Sequence, residues 1–340
     1  MQKTLPEILE IDGKKIGKNH ETYFIAEAGL NHNGDIKTAK KLIDEAANCG
    51  ASAVKFQTFQ TEQFVRKTNK YFDLFKQAEL SFEEFGELKD HAKSREITFF
   101  SSPFDIESAN YLKSIGVPCF KIASSDLINA PLIKHVAKMN VPLIISTGLA
   151  IMKEVIDAVN YCLYEGNDKI ALLHCIAHYP TLQEEANLEA INTMKKEFSC
   201  PIGYSDNGES TLVDLVAVSL GADLIEKHFT LDKKMPGPDH SFSIDPVGLQ
   251  TLITQFREIE KIKGEGIKVP RPIEVESRYF IRTSITAKTD IKKGESLTKE
   301  NLSIKRPAEG IEPKYFEQIV GKQTNKDIPA DTGIQWKDLE

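Results

Sequence analysis

The sequence predicts an α/β fold, a closed (β/α)8 TIM barrel with a hairpin cap before it and a small domain after it. Short β-rich runs alternate with helical patterns from about Tyr23 to Lys263. No glycine-rich dinucleotide fingerprint follows the first run, which argues against an open doubly wound sheet. Near Gly264 the alternation breaks into glycine, proline and charge (GEGIKVPRPIEVE), the signature of a linker.

The eight expected strands are Tyr23–Gly29, Ser52–Gln57, Thr98–Pro103, Cys119–Ser124, Pro142–Gly148, Lys169–Cys175, Pro201–Asp206 and Leu224–Thr230. Helical periodicity follows each. After the first, Ala39, Leu42, Ile43, Ala46 and Ala47 recur on one face, with Asp35 placed to cap. Thr211–Ala222 is apolar on nearly every side, as expected of a helix wedged between the barrel and a neighbour. Short strands separated by such helices form parallel sheets with right-handed crossovers. Before the barrel, Asp12-Gly13 between ILEI and KKIG predicts a hairpin within residues 1–20 that closes the barrel bottom. The expected domains are a barrel over 1–263, a linker over 264–280 and a compact module over 281–340. That module has an internal echo, since DIKKGESLTKENL and DIPADTGIQWKDL place Asp-Ile and two later leucine or isoleucine positions at identical offsets.

With 340 residues, 41% hydrophobic and 27% charged, the chain has an ordinary globular composition. A net charge of −7 without a basic block argues against nucleic acid as a partner. There is no apolar leader and no run long enough for a membrane span. Five scattered cysteines read as buried thiols of a reducing, cytoplasmic compartment.

In such barrels chemistry gathers at the C-terminal ends of the strands. Read in order, those ends carry Glu27 with Asn31-His32-Asn33, Lys55 with Gln57, Ser101-Ser102, Lys121 with Ser124, and Ser146-Thr147. The remaining ends carry Cys175 with His178-Tyr179, Ser205-Asp206-Asn207, and Glu226 with His228. Two lysines in one barrel interior are costly without anionic partners. Surrounded by hydroxyls, they describe a pocket for phosphate or carboxylate oxygens. A plainer reading makes Lys55 and Lys121 structural cations paired with Glu27 and Glu226, His228 a satisfied barrel histidine, and His174 a core-layer residue. His91 and His135 read as surface residues. The joint occurrence of all these groups at strand ends favours the pocket.

These residues lie in stretches that closely resemble the N-acetylneuraminate (sialic acid) synthase family, which includes the legionaminic and pseudaminic acid synthases. The stretches are FIAEAGLNHNGD, AVKFQ, FFSSPFD, FKIASSD, IISTG, LLHC with YP, IGYSD, IEKHFTLDK and PGPDHS. The tail DIKKGESLTKENLSIKRPAEGI resembles the antifreeze-like (SAF) domain of that family. The resemblance implies condensation of phosphoenolpyruvate with the open-chain aldehyde of an N-acetylmannosamine-type sugar and water, with release of phosphate. It assigns phosphoenolpyruvate to Lys55, Lys121, Ser102, Ser124 and Ser146. Glu27 would act near the reacting centre, and Gln57, Tyr179 and Asp239 would contact the sugar. His228 would bind a divalent metal, Mn2+ or Mg2+, and Arg306 would reach the barrel of a partner in a domain-swapped homodimer.

Two departures bear on the metal and the sugar. Asn207 stands where the family pattern has the histidine that is its second metal ligand, and His240 is a candidate substitute. Ile176-Ala177-His178 replaces a polar run before the tyrosine. Three alternatives remain open at this point. They are a 2,4-diacetamido-trideoxyhexose acceptor, a Schiff-base aldolase acting through Lys55 or Lys121, and a sugar-binding homologue without activity.

Overall fold

The structure is a computed structural model that describes residues 5–340 and divides into two compact units, Met1–Gly264 and Glu265–Glu340. The first four residues of the expected N-terminal hairpin segment lie outside the described residues.

In the first unit, strands β1 (Ile8–Ile11) and β2 (Lys14–Gly17) pair antiparallel, with Ile11 opposite Lys14. Asp12 and Gly13 between them both adopt positive φ, the conformation that lets a two-residue turn follow the strand twist. Eight parallel strands then close into a barrel. They are β3 (Tyr23–Gly29), β4 (Ala53–Thr58), β5 (Thr98–Pro103), β6 (Phe120–Ile122), β7 (Leu143–Ser146), β8 (Ile170–Cys175), β9 (Ile202–Asp206) and β10 (Leu224–His228). β10 pairs with β3 to complete the ring.

A strand alternates its side chains between two faces, so every second residue points into the barrel. The lower interior is apolar. Tyr23, Ile25, Ala53, Phe100, Cys119, Ile144, Ala171, Leu173 and Leu224 form one cluster, closed from below by Leu9, Ile11 and Ile16 of the hairpin. One inward step further along each strand the character changes to Glu27, Lys55, Ser102, Lys121, Ser146, Cys175, Ser205 and Glu226. All eight are buried. On β9 the residue below Ser205 is Gly203, where a Cβ would meet the Leu224 carbonyl and come within 2.7 Å of Leu173 Cδ2. The interior is too full there for any side chain.

The outward faces pack on helices such as Ile36–Asn48, capped by the Asp35 side chain as predicted, and Pro246–Lys263. The fourth strand is shorter than predicted. Ser124 leaves it for a single 3-10 turn, where its hydroxyl accepts the Gly148 amide at 3.0 Å and ties two loops at the barrel mouth. The seventh helix also differs. It spans Thr211–Ser219, and its outer residues Leu212 and Val216 are exposed rather than wedged against a neighbour. His174 is one residue out of phase with Leu173 and Cys175. It therefore faces the helical layer, at 2.9 Å from the Ala186 carbonyl, and not the barrel core.

A charged cluster lies outside the barrel yet fully buried. Lys227 of β10 is paired with Asp206 of β9 and, at 3.1 Å, with Asp214 of the Thr211–Ser219 helix. It also donates to the Gly208 carbonyl at 3.0 Å, fixing the turn after β9. Burial pushes the Asp214 carboxyl well up against the pull of Lys227.

In the second unit, the segment expected as linker contains a 3-10 turn (Pro272–Glu274) and a helix (Val275–Ile281), begun by proline where a missing N–H costs nothing. Strands β11 (Ser284–Ala287) and β12 (Leu302–Lys305) pair antiparallel around Ile285, Ile291, Leu297, Ile311, Ile319, Ile328 and Ile334. The sequence echo is a structural dyad. Ile291 and Ile328 exchange backbone hydrogen bonds at 2.9 and 2.8 Å. Asp290 Oδ1 accepts from Ala330 N at 2.8 Å, and Asp327 Oδ1 accepts from Lys293 N at 2.8 Å, so each copy caps the other's loop.

Replacing Lys227 by methionine strands the paired Asp206 carboxylate in an apolar layer. We expect urea unfolding to show a loss of about 3–5 kcal/mol for Lys227→Met. Asp214→Asn should lose far less, because Lys227 keeps its ion pair with Asp206 and the amide matches the carboxyl in size.

Candidate active site

The barrel mouth is organised by four buried charges. Lys55 Nζ lies 2.9 Å from Glu27 Oε2 and 3.6 Å from Glu226 Oε1, and Lys121 Nζ lies 3.3 Å from the same Glu226 oxygen. The strand register produces this, since Glu27 stands opposite Lys55 across β3 and β4 and each charge occupies the first polar inward position of its strand. Glu226 receives a hydrogen bond from Ser205 at 3.1 Å, and Lys55 donates to Ser102 at 3.3 Å. The Ser146 hydroxyl is buried with no partner.

Burial acts on all four charges, with different outcomes. It lifts the Glu27 carboxyl above the usual carboxylate range despite the ion pair with Lys55. It would lift Glu226 too, but Lys121 and Lys55 outweigh it and hold that carboxyl low. Lys121 is pulled down by burial, which Glu226 only partly offsets. Lys55 sits between two carboxylates, whose attraction exceeds the cost of burial and raises it. Both lysines thus stand in a low-dielectric space, Lys55 beside the Ser102 hydroxyl, where an anion's oxygens gain most from them.

The opposite side of the mouth collects Gln57, Tyr179, His228 and Asp239. Gln57 Nε2 donates to Glu27 Oε1 at 2.8 Å, and the Tyr179 ring meets His228 edge-on at 5.7 Å between centroids. His228 Nδ1 faces Asp239 Oδ2 at 3.7 Å and has no hydrogen-bond partner although it is buried. Burial lowers the His228 pKa in spite of Asp239, and it raises Asp239 in spite of His228.

A small cradle lies here. The last residues of β3 slip in register between Glu27 and Gly29, and Gly29 takes a positive φ. A Cβ at Gly29 would stand 3.4 Å from Glu27 Oε1, 3.4 Å from Asp239 Oδ2 and 3.5 Å from His228 Nδ1. Among the described residues no three His, Cys, Asp or Glu side chains converge closely enough to hold an ion alone. An unpartnered imidazole nitrogen beside a carboxylate nevertheless suits a hard divalent cation that keeps open positions for water or substrate.

The loop that carries Asp239 is clipped to the barrel by the motif Asn31-His32-Asn33. Asn31 Nδ2 donates to the Phe229 carbonyl and to Ser243 Oγ, both at 2.9 Å. Asn33 Nδ2 donates to the Pro236 carbonyl at 2.8 Å and lies 3.2 Å from His240 Nε2. The second ring nitrogen of His240 meets Thr230 Oγ1 at 2.6 Å. Both His240 nitrogens are therefore in use, and it does not take the place of a ligand. Asn207 donates its amide to the Ile176 carbonyl at 2.8 Å and to Cys175 Sγ at 3.4 Å. Arg306 belongs to the second unit, exposed just after β12. Sequence reasoning set aside Glu226 as a mere partner and overlooked the Asn31–Asn33 clip. Glu226 was recoverable from strand parity, since it shares the inward phase of His228. The clip was not, because its partners lie some two hundred positions away in the chain.

A sequence model of the NeuB family matches residues 42–268, and one of the SAF domain matches residues 282–340. The chain is 42% identical to an N,N'-diacetyllegionaminic acid synthase of Campylobacter jejuni, over 93% of this chain and 99% of that protein. It is 40% identical to the enzyme of that name from Legionella pneumophila, over 96% and 97%. Among solved structures, the N-acetylneuraminic acid (sialic acid) synthetase of Leptospira borgpetersenii, in complex with citrate, superposes with a TM-score of 0.77. It is 39% identical and covers 81% of this chain and 96% of its own.

His32 is buried against Phe56, with Nδ1 accepting from Gly34 N at 3.2 Å. Burial drops its pKa to about 4. The unfolded chain takes up this proton near pH 6.5 and the folded chain does not. Its stability contribution is therefore complete above pH ~6.5 and lost as pH falls towards 4, on the order of 3 kcal/mol. Denaturant melts between pH 7 and 4 should show this slope flattened in His32→Asn.

Proposed function

The chain belongs to the NeuB family, the sialic acid synthases, and from that premise we propose that it condenses phosphoenolpyruvate with an N-acetylmannosamine-type sugar. The protein is a C–C bond-forming transferase, a nonulosonate synthase. The observation that carries the reading is the pair of buried lysines, Lys55 and Lys121, set among serine hydroxyls above an apolar barrel floor.

In this reading Lys55 and Lys121, with Ser102, Ser124 and Ser146, hold the phosphate and carboxylate oxygens of phosphoenolpyruvate. C3 of phosphoenolpyruvate bonds to the aldehyde carbon of the sugar, water adds at C2, and the C2–O bond to phosphate breaks. Glu27 lies between the two halves of the site, with one oxygen on Lys55 and the other on Gln57, and its raised pKa suits it to hold or pass the proton of that water. Gln57, Tyr179 and Asp239 face the sugar. A divalent cation, Mn2+ or Mg2+, held at His228 would polarise the aldehyde oxygen as a Lewis acid. Arg306 enters the mouth from the second unit of a partner, in a domain-swapped homodimer. Among the described residues no helix is long and apolar enough to cross a membrane, and five free, buried thiols suit a reducing cytoplasm.

A second reading of the acceptor, a 2,4-diacetamido-trideoxyhexose, is favoured by the names of the two bacterial relatives and by the apolar Ala177 beside Tyr179.

Phosphate release from phosphoenolpyruvate should appear with one of these two sugars and divalent metal, and silence with both would sink the proposal. Lys121→Gln should raise the KM for phosphoenolpyruvate roughly tenfold to hundredfold, since a hydrogen bond to a charged group contributes about 1.5–3 kcal/mol. Arg306→Ala should lose turnover without unfolding. Mixing it with Glu27→Ala should restore activity if the arm crosses between subunits, and an active Arg306→Ala homodimer would remove the arm from the site.

A further inference from the structure

The second half of a cation site is missing if it is sought at Asn207. An amide that must donate to the Ile176 carbonyl has its orientation fixed by that bond, because turning it over would set two oxygens against each other. The same nitrogen also reaches Cys175 Sγ. Asn207 thereby braces the end of β8 against the turn after β9, whose next residue, Gly208, is itself gripped by Asp206 and Lys227. The oxygen left over is neutral.

Asp239 offers what Asn207 lacks. Its Oδ2 stands 3.7 Å from the unpartnered, buried Nδ1 of His228. Two donors at about 2.1 Å from one ion are separated by roughly 3–4 Å, so they already stand at ligand spacing. A carboxylate is also the harder and stronger oxygen donor for Mn2+ or Mg2+. The carboxylate is held there before any ligand arrives. Asn33 and Thr230 lock the flanking His240, and Ser243 donates its amide and hydroxyl to the Asp239 carbonyl at 3.2 and 2.6 Å. Gly29, bare of a Cβ, leaves the space between the two donors and Glu27 open. Glu27 itself is taken up by Lys55 and Gln57.

We infer that the divalent cation of this barrel is held by His228 Nδ1 and the Asp239 carboxylate, with Asn207 a structural brace and not a ligand. This rests on the reading of the mouth as a metal-assisted synthase site, and it moves Asp239 from sugar contact to metal ligand. Position 29 then controls the site as well, since any side chain there enters the space the ion needs.

Titration of the full-length, metal-stripped protein with Mn2+ alone, followed by the loss of the free-ion paramagnetic resonance signal, tests it. Wild type should bind one equivalent. His228→Ala and Asp239→Asn should each weaken binding at least tenfold, Gly29→Ala should weaken it too, and Asn207→Ala should stay within about threefold of wild type. Each variant is checked by its melting temperature and by calorimetry with phosphoenolpyruvate in EDTA. Retained phosphoenolpyruvate affinity in Asp239→Asn shows that the barrel is folded and that only the cation half was lost. Loss of Mn2+ in Asn207→Ala with retention in Asp239→Asn would overturn the inference, as would absence of Mn2+ binding by wild type. Failure of wild type to bind phosphoenolpyruvate in EDTA would count instead against the proposed function, leaving the Mn2+ comparison readable.

Discussion

The ring of Lys55, Glu27, Glu226 and Lys121 is the constraint around which the barrel mouth is built. Four charges taken from water into a protein interior cost several kcal/mol each unless they neutralise one another. Here they do so in pairs, with Glu226 shared between two lysines. The arrangement resolves a conflict that any anion-binding barrel faces, because lysines strong enough to hold a phosphate would repel each other in its absence. Glu226 holds them together in the meantime. The serines around them carry no charge and can turn toward whichever oxygens arrive.

The ring in turn depends on what lies on the other face of the same strands. Glu226 and His228 point inward from β10, and Lys227 between them points outward into the Asp206–Asp214 cluster. A single five-residue strand thus carries a charge of functional interest, a structural charge and a candidate metal ligand in succession. Alternation keeps their tasks apart. The outward cluster also fixes the turn after β9, so its rigidity is transmitted to the strand end where Asn207 braces Cys175 and Ile176. Below this layer, the hairpin residues Leu9, Ile11 and Ile16 fill the barrel floor, which excludes water from beneath the charges.

The second unit reaches order by different means. Its core is small and rich in isoleucine, and it has only one two-stranded sheet. Reciprocal bonds between the repeats make up for this, with Asp290 and Asp327 each satisfying backbone donors in the other copy. A polar duplication in sequence therefore encodes a backbone symmetry, and the same aspartates that make the loops look like solvated surface are their internal caps.

The barrel, the hairpin, the strand positions within a few residues, and the polar character of the mouth could be read from the chain alone. Each follows from a local rule, such as alternation, a two-residue turn or charge at a strand end, and needs no knowledge of a distant partner. The early end of the fourth strand at Ile122, the outward phase of His174 and the exposed flank of the Thr211–Ser219 helix depended on packing between elements and could not. The same holds at the metal half of the site. Sequence placed Asn207 in doubt and left His240 open as a substitute. The tertiary structure occupied both His240 nitrogens through Asn33 and Thr230, and it brought Asp239 beside His228. The Asn33–His240 contact, which fixes the Asp239 loop, joins segments from opposite ends of the barrel sequence that closure of β10 onto β3 makes neighbours. Ring closure is a property of the whole chain, so no window of sequence contains it.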